Sequence, residues 1–419
     1  MKINPTRKTP ASLIFISFLA LIFTGAHEGY GQMSLASVSK SNMGNRFGVE
    51  ESVWKKYNFP LTEGATAKKD TAADTLTFNQ KMEKLFRVIP VPLFSYSSDA
   101  GNIFGLAKFN LFQLSKKDTI SKPSKVSGVF TMSTKGRVNF SLSTELVFKA
   151  NKYILISFIN YKKTPEFIFG IGNDVSRDDM EEVTTDRFKW VATGLMRVGS
   201  SESFYAGLGI DINDYFKVVT EDSSFLRSEN ITGVEGGTGV GVGIAGAFDT
   251  RDNRYNASKG SYVISTWTFY PEFLGSSYQY TKFTIDARKF FNPWWKHVIA
   301  FQATTAFANH DVPFYELSMM GGDSQMRGYY LGALRDHVLV DGQMEYRMPV
   351  WGIFGATTWI ATGRVAEKYN DLQFQDWWLS YGVGFRVRVD TKSNVNMRVD
   401  FGFGPGGITG TYINFAEAF

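Results

Sequence analysis

Two stretches near the end of the chain alternate apolar and polar residues over lengths unusual for a soluble sheet. In 376–390, Trp377, Leu379, Tyr381, Val383, Phe385, Val387 and Val389 are apolar, with Ser380, Gly382, Gly384, Arg386 and Arg388 between them. Val395, Met397, Val399, Phe401 and Phe403 repeat this against Asn394, Asn396, Arg398, Asp400 and Gly402. Period two with one apolar face is a strand signal. Comparable segments, split by turn clusters, run from about residue 87 to the end. Many reach about 10 residues or more, where soluble strands average about 5–6. The opposite face mixes Arg, Asp and Asn with Gly. A wet or side-chain-filled lumen takes such a face when the apolar one meets lipid.

The rest of the chain agrees with a membrane barrel. Lys2, Arg7 and Lys8 precede an apolar run of 13 residues, 11–23, followed by small residues. That reads as an export signal over 1–31, cleaved after Gly31 or Ala26. Beyond it no apolar run reaches the roughly 18 residues of a spanning helix. A membrane-embedded chain must then be a closed barrel, because only helices and barrels satisfy their backbone in lipid. Residues 32–85 are polar and read as a mostly unstructured periplasmic leader, with one short helix near 78–85. Residues 86–419 are the expected barrel. Gly 40, Phe 37, Tyr 19 and Trp 9 suit close-packed strands and interfacial aromatic girdles. With no Cys there is neither disulfide nor thiolate metal site, and a net charge of +5 is too weak to argue for nucleic acid. The four His lack metal-ligand spacing, so no metal and no cofactor are expected.

The expected fold class is all-β: a transmembrane antiparallel barrel of about sixteen strands. Starts fall near Val88, Ile103, Ser124, Val138, Tyr153, Thr185, Ser203, Gly239, Gly260, Ser277, Lys296, His337, Ile353, Asp376, Asn394 and Ile408. An even count puts both ends of the barrel in the periplasm. The long connections, around 164–184, 221–236, 310–336 and 366–375, then all fall on the outer side.

The 310–336 loop carries Met319-Met320-Gly321-Gly322-Asp323 and Met326-Arg327-Gly328-Tyr329-Tyr330. A Gly-Gly pair shortly before Arg-Gly-aromatic, ahead of the twelfth strand, resembles the sixth-loop motif of the BamA/TamA superfamily, the bacterial surface antigen family. Asp249-Thr250-Arg251-Asp252, followed by Lys259-Gly260, resembles the inner turn after the family's eighth strand. Glu345-Tyr346-Arg347-Met348-Pro349 resembles its twelfth strand, and Trp359-Ile360-Ala361-Thr362-Gly363 its thirteenth. The matches stand in order over 86–419. The resemblance implies that the loop folds into the lumen. Parity puts Glu345 on the same inward face as Asp341, Gln343 and Arg347, where its carboxylate can take Arg327 in a charge-assisted pair.

The chain departs from the family pattern in three places. Ala361 stands where the family usually offers Arg327 an Asp, and Ala257 where the inner turn often has Pro. The leader is too short for a periplasmic polypeptide-transport-associated domain, which argues against an insertase acting alone. Gly241-Val242-Gly243-Ile244-Ala245-Gly246 fits a dinucleotide fingerprint, but it lies in a strand with no helix after it.

Pro90 and Pro92 lie in the first strand or just before it. Proline donates no ladder bond. If both are in the strand, their missing donors face the last strand, which holds Gly410 and is expected to run to Phe419. The reading is an outer-membrane barrel, not an enzyme, that assists insertion or translocation of outer-membrane proteins through this weak seam. Its partners would be outer-membrane lipid, unfolded outer-membrane proteins and accessory assembly proteins. The alternatives are a passive or gated small-solute pore, or a structural barrel in an outer-membrane complex.

Overall fold

The computed structural model describes residues 89–97, 101–115, 117–176, 180–391 and 393–419. The expected signal and leader lie outside the described residues. Sixteen strands form one antiparallel sheet in chain order. The first eight are β1 (Val91–Ser97), β2 (Gly101–Phe112), β3 (Ser124–Ser133), β4 (Val138–Val147), β5 (Tyr153–Ile168), β6 (Glu181–Arg197), β7 (Phe204–Val219) and β8 (Gly237–Asp249). Then come β9 (Gly260–Tyr270), β10 (Tyr280–Phe291) and β11 (Val298–His310). Two short strands within the long loop, β12 (Ser318–Met320) and β13 (Leu334–Asp336), form a separate two-stranded sheet. The wall resumes with β14 (Val338–Trp351), β15 (Phe354–Ala366), β16 (Trp378–Asp390), β17 (Val395–Gly404) and β18 (Ile408–Phe415).

Every observed start lies within four residues of the expected one. The largest shift is at β6. Pro165 pairs with Thr184, so the ladder continues to Ile168 and Glu181, and the connection expected at 164–184 is shorter. The fingerprint-like glycines lie within β8.

Two neighbouring register rows show how parity builds the barrel. Ala107, Val129, Ser141, Asn160, Lys189, Asn213 and Gly239 align across β2 to β8 and face the lumen. One residue along, Leu106, Phe130, Phe140, Tyr161 and Phe188 align and face outward. Leu106, Phe130, Phe140 and Phe188 are exposed, as are Leu208, Ile244, Trp267, Ile360, Val383 and Phe385. In water so wide an apolar surface would associate or aggregate; in a bilayer it is the lipid contact. Among the described residues no helix is long and apolar enough to cross a membrane, which says nothing against crossing by strands.

The four long connections meet at one end. The 311–337 connection bonds to the others there: the Phe314 N–H donates to the Thr232 carbonyl, and Gly172 and Arg335 form a β-bridge. Asn173 reaches the Asp376 carbonyl at 2.9 Å. Connections of eleven residues or fewer hold the other end. At one of them Asp118 accepts from the Ser121 hydroxyl and from the N–H groups of Ser121, Ile120 and Ala150. Those donors, the Ser121 hydroxyl first, hold its carboxyl down at about 2.

The sheet is not zipped shut. Among the described residues β1 pairs only with β2, and β18 only with β17. Pro90 precedes β1, whereas Pro92 lies inside it, in register with Leu106 of β2. A proline in a strand belongs on an edge, and β1 is one. At seven residues β1 is also short for a membrane-spanning strand, which needs about 9–11.

The expectation that the last strand runs to Phe419 is corrected. β18 ends at Phe415, and Ala416 takes a left-handed φ of 66° that turns the chain inward. Phe419 is buried beside Ala257, Phe290, Val298 and Ala300, so it belongs to the opposite wall and not to the seam.

Candidate functional site

The residues singled out in the long loop lie inside the barrel, against β14 to β18. Gly321 and Gly322 take φ values of 106° and 114°, which turn the loop back on itself. Gly363 of β15 leaves room for the loop's methionines: a Cβ there would stand 2.9 Å from the Met320 sulfur. Gly328 lies directly on the backbone of β17. A Cβ on Gly328 would stand 2.9 Å from the Phe403 nitrogen, and one on Gly402 would stand 2.5 Å from the Arg327 carbonyl. Glycine on both sides is what allows two backbones so close.

This contact presents the fully buried Arg327 to the wall. Its Nη2 donates to Glu345 Oε2 at 2.5 Å and its Nη1 to Asp400 Oδ2 at 2.8 Å. The guanidinium carbon lies 3.7 Å from the centre of the Trp359 ring. The Ser380 hydroxyl donates to the Arg327 carbonyl. Asp400, on β17, thus supplies the carboxylate that Ala361 lacks. Ala361 itself packs with Met320, Met326 and Tyr329 in an apolar cluster.

The network extends well past that pair. Glu345 also takes Arg347 Nε at 2.7 Å. Asp400 takes Arg386 at 2.5 Å and Arg398 at 2.7 Å. Arg398 reaches back to Asp323 of the loop at 3.2 Å, and Asn414 of β18 donates to the same carboxylate at 2.7 Å. Arg386 donates to Glu417 at 2.6 Å. Four guanidiniums, of Arg327, Arg347, Arg386 and Arg398, thus meet four carboxylates, of Asp323, Glu345, Asp400 and Glu417. Buried ions are tolerated only when so paired.

Tyrosines complete the attachment. The Tyr329 hydroxyl donates to the Leu379 carbonyl at 2.8 Å. The Tyr412 hydroxyl, from β18, accepts the Gly328 N–H at 3.0 Å and donates to the Tyr329 carbonyl at 3.2 Å. Gly410 has a local role here: a Cβ on it would stand 2.5 Å from the Tyr412 hydroxyl. The start of the loop is anchored across the lumen. Glu316 accepts from Lys189 at 2.9 Å and Lys282 at 2.6 Å. Tyr315 stacks on Tyr215 with centroids 3.7 Å apart.

The inner turn is a separate cluster at the opposite end. Arg251 donates to Asp249 through Nε at 2.9 Å and Nη2 at 3.2 Å and lies over the Tyr262 ring. Asp252 accepts the N–H groups of Asn253, Ser258 and Lys259 and so closes its own turn. Arg254, which the sequence reading passed over, pairs with both Asp249 and Glu145.

The Omp85 superfamily domain matches residues 102–415. The chain belongs to the Omp85 superfamily. It is therefore a barrel of the bacterial outer membrane. Among solved structures it is similar to BamA from Haemophilus ducreyi lacking POTRA domains 1–3, at 13% identity and a TM-score of 0.47, covering 77% of this chain and 68% of that one. It is also similar to CdiB from Acinetobacter baumannii, at 11% identity and a TM-score of 0.48, covering 77% and 58%. CdiB from Escherichia coli matches at 11% identity and a TM-score of 0.49, covering 78% and 61%. The chain thus spans about three-fifths of the CdiB chains. No curated protein matches it in sequence.

Asp400, Arg386, Arg398, Tyr412, Glu417 and Glu316 were not singled out from sequence. For Asp400, Arg386 and Arg398 a signal existed, since alternation puts all three on the polar face of their strands. What alternation cannot tell is which of many inward charges meets Arg327.

Proposed function

We propose that this Omp85 barrel assists insertion or translocation of outer-membrane polypeptides through its first–last seam, with accessory assembly proteins. The observation that carries this reading is the open pairing between β1 and β18 beside a loop tied to the last two strands. Each unpaired backbone group in lipid costs several kcal/mol. An incoming strand can satisfy those groups by adding to the free edge of β1. The 311–337 loop keeps β17 and β18 in shape while β1 is free to part from them.

A disulfide staple tests this directly, because the chain has no Cys. A cysteine at Leu93 is paired with cysteines scanned along 408–414. The purified barrel is then assayed in proteoliposomes for insertion of an unfolded outer-membrane protein. Insertion should fall at least tenfold when the staple forms and return on reduction. Equal insertion by stapled and reduced barrels would remove the lateral route.

One observation favours the pore as the second reading. A lumen cavity of about 720 Å³ lies under the loop, between Leu93, Phe109, Ile156 and Arg254. Single-channel conductance separates the two readings. A steady open current in the native barrel supports the pore, and closure broken only by loop variants supports the seam.

A further inference from the structure

One part of the outer wall is covered by the protein itself. Val338 and Val340 of β14 and Ala366 of β15 are outward by parity, since Glu345 faces the lumen. All three are nevertheless buried. The 367–377 connection covers them by folding down over the outside of the barrel. Its Leu372 packs with these three residues. The Tyr369 hydroxyl meets the Thr305 hydroxyl of β11 at 2.8 Å, and the Tyr369 and Phe307 rings lie 5.8 Å apart. Thr305 and Phe307 are outward as well, in register with Val340 and Val338.

Below this cover the wall is hollow. One outward row is small: Ala303, Gly342 and Thr362 align across β11, β14 and β15. The next outward row toward the turn end is large, made of Phe301, Met344 and Ile360. The trough between that row and the cover is rimmed by Phe374 and Trp377 and encloses about 450 Å³. Small-molecule sites run from about 300 to 1,000 Å³. Asp341 and Gln343 also border the trough, but parity turns their side chains into the lumen. The Thr362 hydroxyl is spent on the Trp378 carbonyl at 3.0 Å, so the trough itself is apolar.

A second hollow, of about 530 Å³, adjoins the first toward the mouth and shares Trp377 and Leu379 with it. This one is polar, lined by Asp174, Arg364 and Asp376. Arg364 is an outward residue of β15, in register with Val340. Its Nη1 donates to the Gln375 carbonyl and lies 4.0 Å from Asp376. Its buried Nε has no hydrogen-bond partner among the described residues. The Trp377 N–H is spent on the Gln373 carbonyl at 2.7 Å, which leaves the indole faces for apolar contact.

An apolar trough on a lipid-facing wall offers water no partners, so in a membrane hydrocarbon fills it. Gly342 and Thr362 lie four residues inside the strand ends at Val338 and Ala366, near the end that carries the long connections. The hydrocarbon there belongs to the outer leaflet. Two carboxylates against one guanidinium disfavour a bare phosphate head, but they accept from hydroxyls, and an indole face suits a sugar ring. We propose that the two hollows form one site for an acylated sugar lipid of the outer leaflet. One acyl chain lies in the trough, and the sugar lies against Asp174, Arg364 and Trp377. The site is on β14 to β16, apart from the seam, and it holds its lipid whether or not the seam opens.

The test uses the full chain in a sugar-free detergent and two probes. Monophosphoryl lipid A is an acylated sugar; phosphatidylglycerol has acyl chains and no sugar. Native mass spectrometry should show one lipid A retained by the native chain, and at least tenfold less phosphatidylglycerol at equal concentration. Gly342→Leu fills the trough from its floor, where a Cβ would stand 3.7 Å from its nearest neighbour, and should lower lipid A retention at least tenfold. A second measurement stands even where that variant folds poorly. The chain has no Cys, and Met344 of the trough and Phe130 of β3 are both exposed outward residues. Lipid A should slow maleimide labelling of Met344→Cys at least tenfold and leave Phe130→Cys unchanged, while phosphatidylglycerol slows neither. Equal lipid A retention by the native and Gly342→Leu chains, equal retention of the two lipids, or equal protection of the two cysteines overturns the proposal.

Discussion

The two walls flanking the seam are built from opposite materials. From β14 to β18 the lumen face carries Glu345, Arg347, Arg386, Arg398, Asp400 and Tyr412, nearly all bonded to the loop or to one another. From β1 to β4 it mixes Val91, Leu93, Phe109 and Val129 with Ser127, Ser141 and Ser143, carries Lys125 and Glu145 as its charges, and borders the cavity. Dispersion and hydroxyl contacts at a cavity edge have many near-equivalent geometries, whereas a buried ion network has few. One lip of the seam is thus held in shape, and the other is free to adapt. Parity alone makes both walls, so the difference lies in which inward residues each strand carries.

The largest effect is expected at the centre of the network. Asp400→Ala removes a carboxylate shared by three buried arginines, Arg327, Arg386 and Arg398, and breaking a buried pair from one side costs about 3–5 kcal/mol. The matching change on the other wall, Ser143→Ala, should stay within about 0.5 kcal/mol. Urea unfolding in detergent, followed by heat-modifiable mobility, measures both, and comparable losses would erase the contrast between the walls.

Gly402→Ala comes next. Its Cβ would strike the Arg327 carbonyl at 2.5 Å, and overpacking of this kind costs about 1–3 kcal/mol. The loop should lift from β17, seen as protease cleavage within 321–332 that the native chain resists. Gly128→Ala on β3, whose nearest neighbours would be 3.8 Å away, should leave cleavage unchanged.

Tyr412→Phe removes one acceptor and one donor between β18 and the loop, worth about 0.5–1.5 kcal/mol per hydrogen bond. Amide exchange at Gly328 should quicken while exchange in β3 and β4 holds. Equal quickening in both walls would mean that the loop stiffens the whole barrel.

The smallest effect belongs to the turn at Asp118. Its folded carboxyl titrates near 2, below the usual 3.8, so the turn's stabilisation is present above about pH 4 and fades as pH falls toward 2. Asp118→Asn should lower thermal stability slightly at pH 7 and match the native chain near pH 2. A difference that persists at the lowest pH would mean that the side chain acts through shape and not charge.

The sequence by itself settled the class and the count. Long period-two segments point to a barrel, and turn residues placed sixteen strands to within a few residues. Parity turned Glu345 inward, because alternation is a local property of the chain, and the family resemblance, not periodicity, brought Arg327 and Gly328 to it. Three things were decided only in three dimensions. Asp400 meets Arg327 because β17 passes under Gly328, a contact between residues 73 positions apart that no periodicity encodes. Phe419 leaves the seam because Ala416 turns left-handed and a pocket on β10 and β11 takes the ring. Among the described residues β1 and β18 do not pair, and closure between strands at opposite ends of the chain is not a property that alternation encodes. Alternation fixes which way each side chain faces, but the approach of distant backbones fixes what it meets.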